Sequence, residues 1–482
     1  MDWVARNEAA DRMSEPSATR RLARYAVETR YHDLPDAVVI QAKNAIRDFL
    51  GCLLGGTALP AGQRLRDLIL SMAAEGQATV AGVKRRVTPP LASYINAQLT
   101  NLLDFDDTLE AEALGHPGAT TIPAALALAE QRGASGKQFL TAVVVGYDVL
   151  LRVALAGKPT FERSKQVRGL APWQVFGAVA AAVHILGLNA EAAARAFGLA
   201  ALHAPVPFVG KIYEERPMWA LKNNFGWATL GGVLGALFAA EGLDANHEIL
   251  EGETGFWAMA GSDRCDFTLL TEGLGSTYSI LQTSFKPYSS CRHTHSALDA
   301  VSHIIRSSDI RADDVRSVLV RSSSKIKAFA DYRPQSFIDA EFSLPYLVAM
   351  VLLQVPPGYA WLQADRWRDP NVLSLADRVH LEVDPEAEVD LARGYMRVKA
   401  SVELENGQVE EAEVTYPGGH RLNPLSAGEL QQKFLGLAEP VIGQRGARQL
   451  SSLIDRLDEL SNLEELTAYL AGTKPGREAS MM

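Results

Sequence analysis

From about residue 17 to 275, apolar residues recur three and four positions apart in Ala- and Leu-rich blocks punctuated by Gly and Pro. That is the period of packed helices. Ala180-Ala181-Ala182, Ala192-Ala193-Ala194 and LGGVLGALFAAEG (Leu230 to Gly242) put small side chains where helix axes approach closely. Strand-like alternation is nearly absent there and emerges later, in VRSVLVR (Val315 to Arg321) and VHLEV (Val379 to Val383). RVKASVELENGQVEEAEVTY (Arg397 to Tyr416) alternates on both sides of Asn406-Gly407, a strong hairpin signal. Helical spacing fills the intervals, over Ser296 to Arg306 and Phe342 to Gln354, and returns from Ser426 onward. The pattern predicts a mainly α fold. A large all-helical domain is formed by both chain ends (1–276 and 420–482), with a smaller α+β domain inserted at 277–419.

Composition narrows the partners. The 482 residues are 47% hydrophobic, enough for large cores, and carry 57 Asp and Glu against 47 Lys and Arg, a net charge of -10. This balance argues against broad contact with nucleic acid or an anionic membrane, so an anionic substrate requires a local cationic pocket. Cys52, Cys265 and Cys291 are too few and scattered for a disulfide framework, and the odd count fits a reducing compartment, with the cytoplasm as the expectation. The N-terminal stretch lacks the apolar core of a signal peptide and has too many acids for a transit peptide. Apolar runs such as Val175 to Leu188 fall short of the roughly 20 residues of a membrane span, so none is expected.

Candidate chemistry concentrates in LLDFDDTLEAEALGHPG, Leu102 to Gly118, which admits three readings. Asp104, Asp106 and Thr108 fit the D-x-D-x-T of a phosphatase, which needs a hydrophobic strand before the nucleophile. The preceding PPLASYINAQLTNLL instead has helical spacing. Asp106, Asp107 and Glu110 fit the D-D-x-x-E of a Mg-diphosphate cyclase, but the later helices offer no convincing second metal motif. The third reading joins the acids to His116. A solvated helix end beside a satisfied loop histidine is the plain structural alternative.

A second constellation is FKPYSSCRHTHSALDA, Phe285 to Ala300. Lys286, Arg292, His293 and His295 gather cationic or potentially cationic groups just before a helix, a loop suited to holding carboxylates. Cys291, His293 and His295 at alternate positions can instead ligate zinc, although no second ligand pair accompanies them. An ordinary surface loop is the remaining possibility. Lys222, among Trp219, Phe225 and Trp227, either snorkels from an aromatic helix face or sits at a cleft.

In this order, LLDFDDT…GHPGATTIPAALALAE, KPYSSCRHTHSALDA, EFSLPYLVA and PGGHRLNPLSAGELQQKF resemble the MmgE/PrpD family over about residues 17 to 460. That family includes 2-methylcitrate dehydratases, cis-aconitate decarboxylases and iminodisuccinate epimerases. The resemblance implies a large helical domain with a smaller α+β lid, often as a homodimer. It also implies action on di- and tricarboxylic acids without NAD and mostly without metal, so no cofactor is expected. Asp104, Thr108 and His116 match the family's first active-site segment, Lys222 its central lysine and His295 its lid histidine. Cys291, and Ala171 in VRGLAPWQVFG, stand where relatives often have histidine, and Tyr332 only loosely matches a lid tyrosine. These departures point away from cis-aconitate decarboxylation and toward a dehydratase, epimerase or isomerase.

The implied common step is proton transfer at a carbon α to a carboxylate. His116 is expected as general acid/base, oriented by Asp104, with Lys222 stabilising the charge that develops. Lys286, Arg292, His295 and Thr108 would hold the substrate, and His293 or Tyr332 would protonate a departing hydroxyl. A non-catalytic carboxylate-binding protein is the competing reading from another class.

Overall fold

The computed structural model describes residues 16–109, 115–164, 166–167, 172–205, 223–393 and 395–472. Among the described residues, nine long helices occupy the first half: α1 (Ala18–Glu28), α2 (Asp36–Ala58), α3 (Pro60–Met72), α4 (Pro89–Asn101), α5 (Pro117–Arg132), α6 (Gly136–Ala156), α7 (Gln174–Leu186), α8 (Ala190–Ala201) and α9 (Phe225–Ala240). The mainly helical class expected from periodicity is the class observed. Helix α7 lies at the centre, packed against α5, α6, α8 and α9. Its Ala- and Val-rich sequence is buried from Gln174 to Val183, as a helix apolar on all sides must be. The small residues do bring axes together: a Cβ on Gly232 of α9 would lie 2.5 Å from the Cβ of Ala178.

Helix α6 is 21 residues long and apolar enough in composition to cross a membrane, but 94% of its most apolar window is buried inside the protein. Its hydrophobicity therefore serves the core. One feature departs from the helical reading of this half. A short antiparallel pair, β1 (Glu75–Thr79) and β2 (Arg86–Val87), joins α3 to α4. Its strands are too short to establish alternation in the sequence.

The later strands form one four-stranded sheet in the order β4-β3-β5-β6, with β3 (Val315–Ser322), β4 (Val379–Val383), β5 (Val398–Leu404) and β6 (Val409–Val414). Strands β3 and β4 are parallel and the other pairs antiparallel. Val318 and Val320 of β3, with Val398, Ala400 and Val402 of β5, are buried while their neighbours are more exposed, which is the source of the alternation. Helix α10 (His295–Ser308) covers β5 and β6 and also meets α11 (Leu344–Leu352).

Helix α12 (Ala427–Asp455) returns to the first half and packs along α2. It bends at Gly443, where φ is 75° and ψ 158°, just after Pro440. Phe434 and Leu437 face Gly51 and Gly55 of α2. Residues near both ends of the chain thereby meet beside the loop that follows α4.

Candidate active site

The loop after α4 buries its acids. Asp104, Asp106, Asp107, Thr108 and His116 are all under 9% exposed, so they do not form a solvated helix end. A helix, not a strand, precedes Asp104, which removes the phosphatase reading. Asp104 itself has φ at 46°, a left-handed conformation rare for a residue with a side chain. It turns successive carboxylates toward different partners.

Asp104 pairs with Lys286, whose ammonium donates to its carboxylate at 2.5 Å and to its backbone carbonyl at 2.8 Å. Asp106 lies between Asn101 and His116: Asn101 Nδ2 donates to one oxygen at 2.8 Å, and His116 Nδ1 lies 2.9 Å from the other. The histidine's partner is therefore Asp106 and not Asp104, as the motif alone suggested. Burial disfavours a charge on Asp106, but the His116 ring and the Lys286 ammonium outweigh it and hold the carboxyl below the usual range. An ionised Asp106 keeps the proton on Nδ1 of His116 and leaves Nε2 as a lone-pair acceptor. Phe225, the first residue of α9, tilts against the imidazole with ring centroids 5.3 Å apart.

Asp107 accepts from Tyr147 at 2.7 Å and from the Gly118 N–H at 3.0 Å. The His-Pro-Gly sequence fits this contact. Pro117 opens α5 where no N–H is needed, and a Cβ on Gly118 would sit 2.7 Å from both Asp107 Oδ1 and the Tyr147 hydroxyl. Burial, then the nearby Asp48 carboxylate, push the Asp107 carboxyl well above its usual range.

The basic loop meets the acidic one directly. Thr108 and Ser284 exchange two backbone hydrogen bonds at 2.9 and 2.8 Å, and the Phe285 N–H donates to Gly419 O at 3.0 Å. Arg292 donates to Gly418 O at 2.8 Å and lies 3.0 Å from His295 Nδ1. The other ring nitrogen of His295 is 3.2 Å from Ser290 O. His295 is fully buried. Burial, then Arg292 and Lys286, hold it well below the usual histidine range, so it is neutral and braces Arg292. The charge expected of it as an anchor falls to Arg292.

Asp104, Asp106 and His116 offer atoms all within 4.8 Å of one another, the single such group among the described residues. Cys291, His293 and His295 form no such group there, which ends the zinc reading of that loop. In the Asp104 cluster the Lys286 ammonium already supplies a buried cation.

Residues 20–267 match the model of the MmgE/PrpD N-terminal domain and residues 288–459 that of the C-terminal domain. The chain belongs to the MmgE/PrpD family. It is 26% identical over 465 residues to the cis-aconitate decarboxylase of Homo sapiens, with 93% of each chain covered. The Mus musculus cis-aconitate decarboxylase is 25% identical, covering 97% of this chain and 96% of its own. The cis-aconitate decarboxylase-like protein oryM of Aspergillus oryzae is 24% identical, covering 96% and 99%.

Of the residues singled out in the sequence, Asp104, Thr108, His116, Lys286, Arg292 and His295 fall where the two loops meet. Lys222, Ala171 and Glu110 lie outside the described residues. Asn223 donates to Asn101 at 3.1 Å, and Asn101 donates in turn to Asp106. Tyr332 donates to Val379 O at 2.9 Å, at the start of β4. His293 lies near Phe329 and lines a cleft with Ser323, Lys325, Tyr395 and Arg397.

Sequence reasoning missed Asn101, Asn223 and Gln174. Gln174 is fully buried, its carbonyl oxygen 3.2 Å from Thr120 Oγ1, and its amide nitrogen lies beside Gly115 without an acceptor among the described residues. An amide has no spacing signature, so nothing in the sequence set these three apart.

Proposed function

We propose that the protein is a lyase acting on a small di- or tricarboxylic acid, without metal or nucleotide, by proton transfer at the carbon α to a carboxylate. The outcome we favour is dehydration of a 2-methylcitrate-like hydroxy acid. The buried Asp106–His116 pair carries this reading. Asp106 fixes the tautomer, so Nε2 takes the α-proton. The electron pair left on carbon moves onto the adjacent carboxylate, where Arg292 and Lys222 would stabilise it.

The hydroxyl on the neighbouring carbon then leaves, and the carbon–carbon double bond forms. The Tyr332 hydroxyl donates to Val379 O, and the imidazolium made in the first step is the acid we assign. It returns its proton to the departing oxygen as water, and the enzyme is restored. Lys286 takes the place of a metal by neutralising Asp104.

A second reading, decarboxylation, is favoured by three relatives matched over almost their whole length and named for that reaction. An epimerase or isomerase would share the first step and return the proton to carbon. Proton NMR of chelator-treated protein in deuterium oxide, with 2-methylcitrate, cis-aconitate and substituted succinates in turn, separates these. A new vinylic product from 2-methylcitrate supports the dehydratase. Loss of carbon dioxide from cis-aconitate, or bare α-deuterium exchange, moves the protein to another branch. No change in any acid leaves the non-catalytic carboxylate-binding alternative.

A further inference from the structure

A second buried lysine grips the catalytic loop from behind. Lys433, on α12, places Nζ 2.5 Å from Asp48 Oδ1 on α2 and 2.6 Å from the backbone carbonyl of Phe105. It also lies 4.2 Å from the centroid of the Phe105 ring. The Lys433 and Asp48 side chains are 5% and 1% exposed. Phe105 is the residue between Asp104 and Asp106. From the other side, Lys286 donates to the carbonyl of Asp104. Two buried ammonium groups thus hold successive carbonyls of one loop, each neutralised by its own carboxylate.

This arrangement matters because the loop is strained. Asp104 is left-handed, which is strained for a residue with a side chain, and such a conformation persists only where its surroundings fix it. A buried ion pair is itself weak evidence of stabilisation, since neutral replacements of similar volume are often no less stable. The hydrogen bond to Phe105 O is what the pair adds beyond joining α12 to α2. The other charged or titratable groups near it are Asp106, Asp107, Lys286 and Cys52.

We propose that Lys433, with Asp48, is a positioning residue that fixes the Phe105 carbonyl and thereby sets where the Asp106 carboxylate meets His116. The proposal rests on His116 as the acid/base. It makes the C-terminal helix part of the active-site machinery although Lys433 itself touches no reacting atom.

The test is the full-length double variant Asp48→Asn/Lys433→Met, which removes one charge of each sign and keeps similar volume. Expected are a melting temperature near wild type, a fall in kcat of about tenfold or more with KM within about threefold, and a displaced NMR titration midpoint for the His116 ring. Net charge is unchanged, so the field at His116 changes less than on removal of either charge alone, and the kcat loss read beside the midpoint reports the geometry. Wild-type kcat, KM and midpoint together would overturn the proposal and leave the pair as a helix-to-helix contact. If the double variant does not fold, Lys433→Arg is read the same way: reduced turnover at unchanged melting supports the positioning role, and wild-type turnover overturns it. Should the wild type turn over no acid at all, the functional reading fails, yet the His116 midpoint still decides this one.

Discussion

Asn223 and Asn101 are joined side chain to side chain at 3.1 Å, although 122 residues separate them. Asn101 in turn donates to Asp106, and Asp106 meets His116. Asn223 therefore stands two hydrogen bonds from the Asp106–His116 pair, and the order of these contacts allows the roles to be tested separately.

His116→Ala and Lys222→Ala should each lower kcat by roughly 10² or more while the protein stays folded. Asp106→Asn should lose roughly 10²–10⁴, because an amide in place of the carboxylate no longer enforces the Nδ1–H tautomer. Asp104→Asn, which faces Lys286, should act mainly on KM and stability. Steady-state kinetics of the four variants, with circular dichroism as the folding control, checks this. Equal losses in Asp104→Asn and Asp106→Asn would undo the assignment of Asp106 as the histidine's partner.

Asn101→Leu removes a donor from a buried carboxylate. It should cost about 1–3 kcal/mol of stability and raise the Asp106 pKa, so the acid limb of kcat/KM moves upward in pH. The sign follows from the native state: a depressed Asp106 contributes stability that is present above the unfolded value of about 3.9 and lost as pH falls through its lower folded value. Losing the donor shrinks that window. A pH–rate profile identical to wild type would count against it.

Lys286→Met leaves Asp104 as an uncompensated buried charge and should destabilise the fold by about 3–5 kcal/mol. It should also convert Asp104, Asp106 and His116 into a site for a divalent transition metal, since their ligand atoms already cluster within 4.8 Å. Calorimetric titration with Zn²⁺ should show one bound ion in the variant and none in the wild type. Wild-type activity should survive exhaustive chelation, and activity that chelation abolishes and Zn²⁺ restores would show that the ammonium does not replace a metal.

His295 is held neutral in the folded protein, well below its ordinary value of 6.5. In the unfolded chain it takes up a proton near that value, so stability should fall as pH drops below about 6.5, by up to about 1.4 kcal/mol per pH unit. Asp48 and Asp107, whose pKa values are raised, bind protons more readily when folded and so slope the opposite way at lower pH. Comparing urea midpoints of wild type and His295→Gln between about pH 7.5 and 5.5 isolates the histidine. The variant should lack the slope, and parallel curves would show that His295 is not buried neutral.

The sequence by itself determined the helical class, the strands from Val315 to Val414 and the motifs that place the chain in its family, because these depend on local periodicity and on residues close together in the chain. The β1–β2 pair escaped, being too short to establish a period. Pairing was decided by the tertiary structure alone. Asp104, Asp106 and Asp107 are alike in sequence, but the left-handed turn at Asp104 hands one to Lys286, one to His116 and one to Tyr147. Tyr332 loosely matches a lid tyrosine, yet its hydroxyl donates to Val379 O. Asn101, Asn223, Gln174, Asp48 and Lys433 come together from distant positions, and no spacing announces them. A residue's type fixes which hydrogen bonds and charges it can offer, but burial and the position of its partner decide which of them it makes.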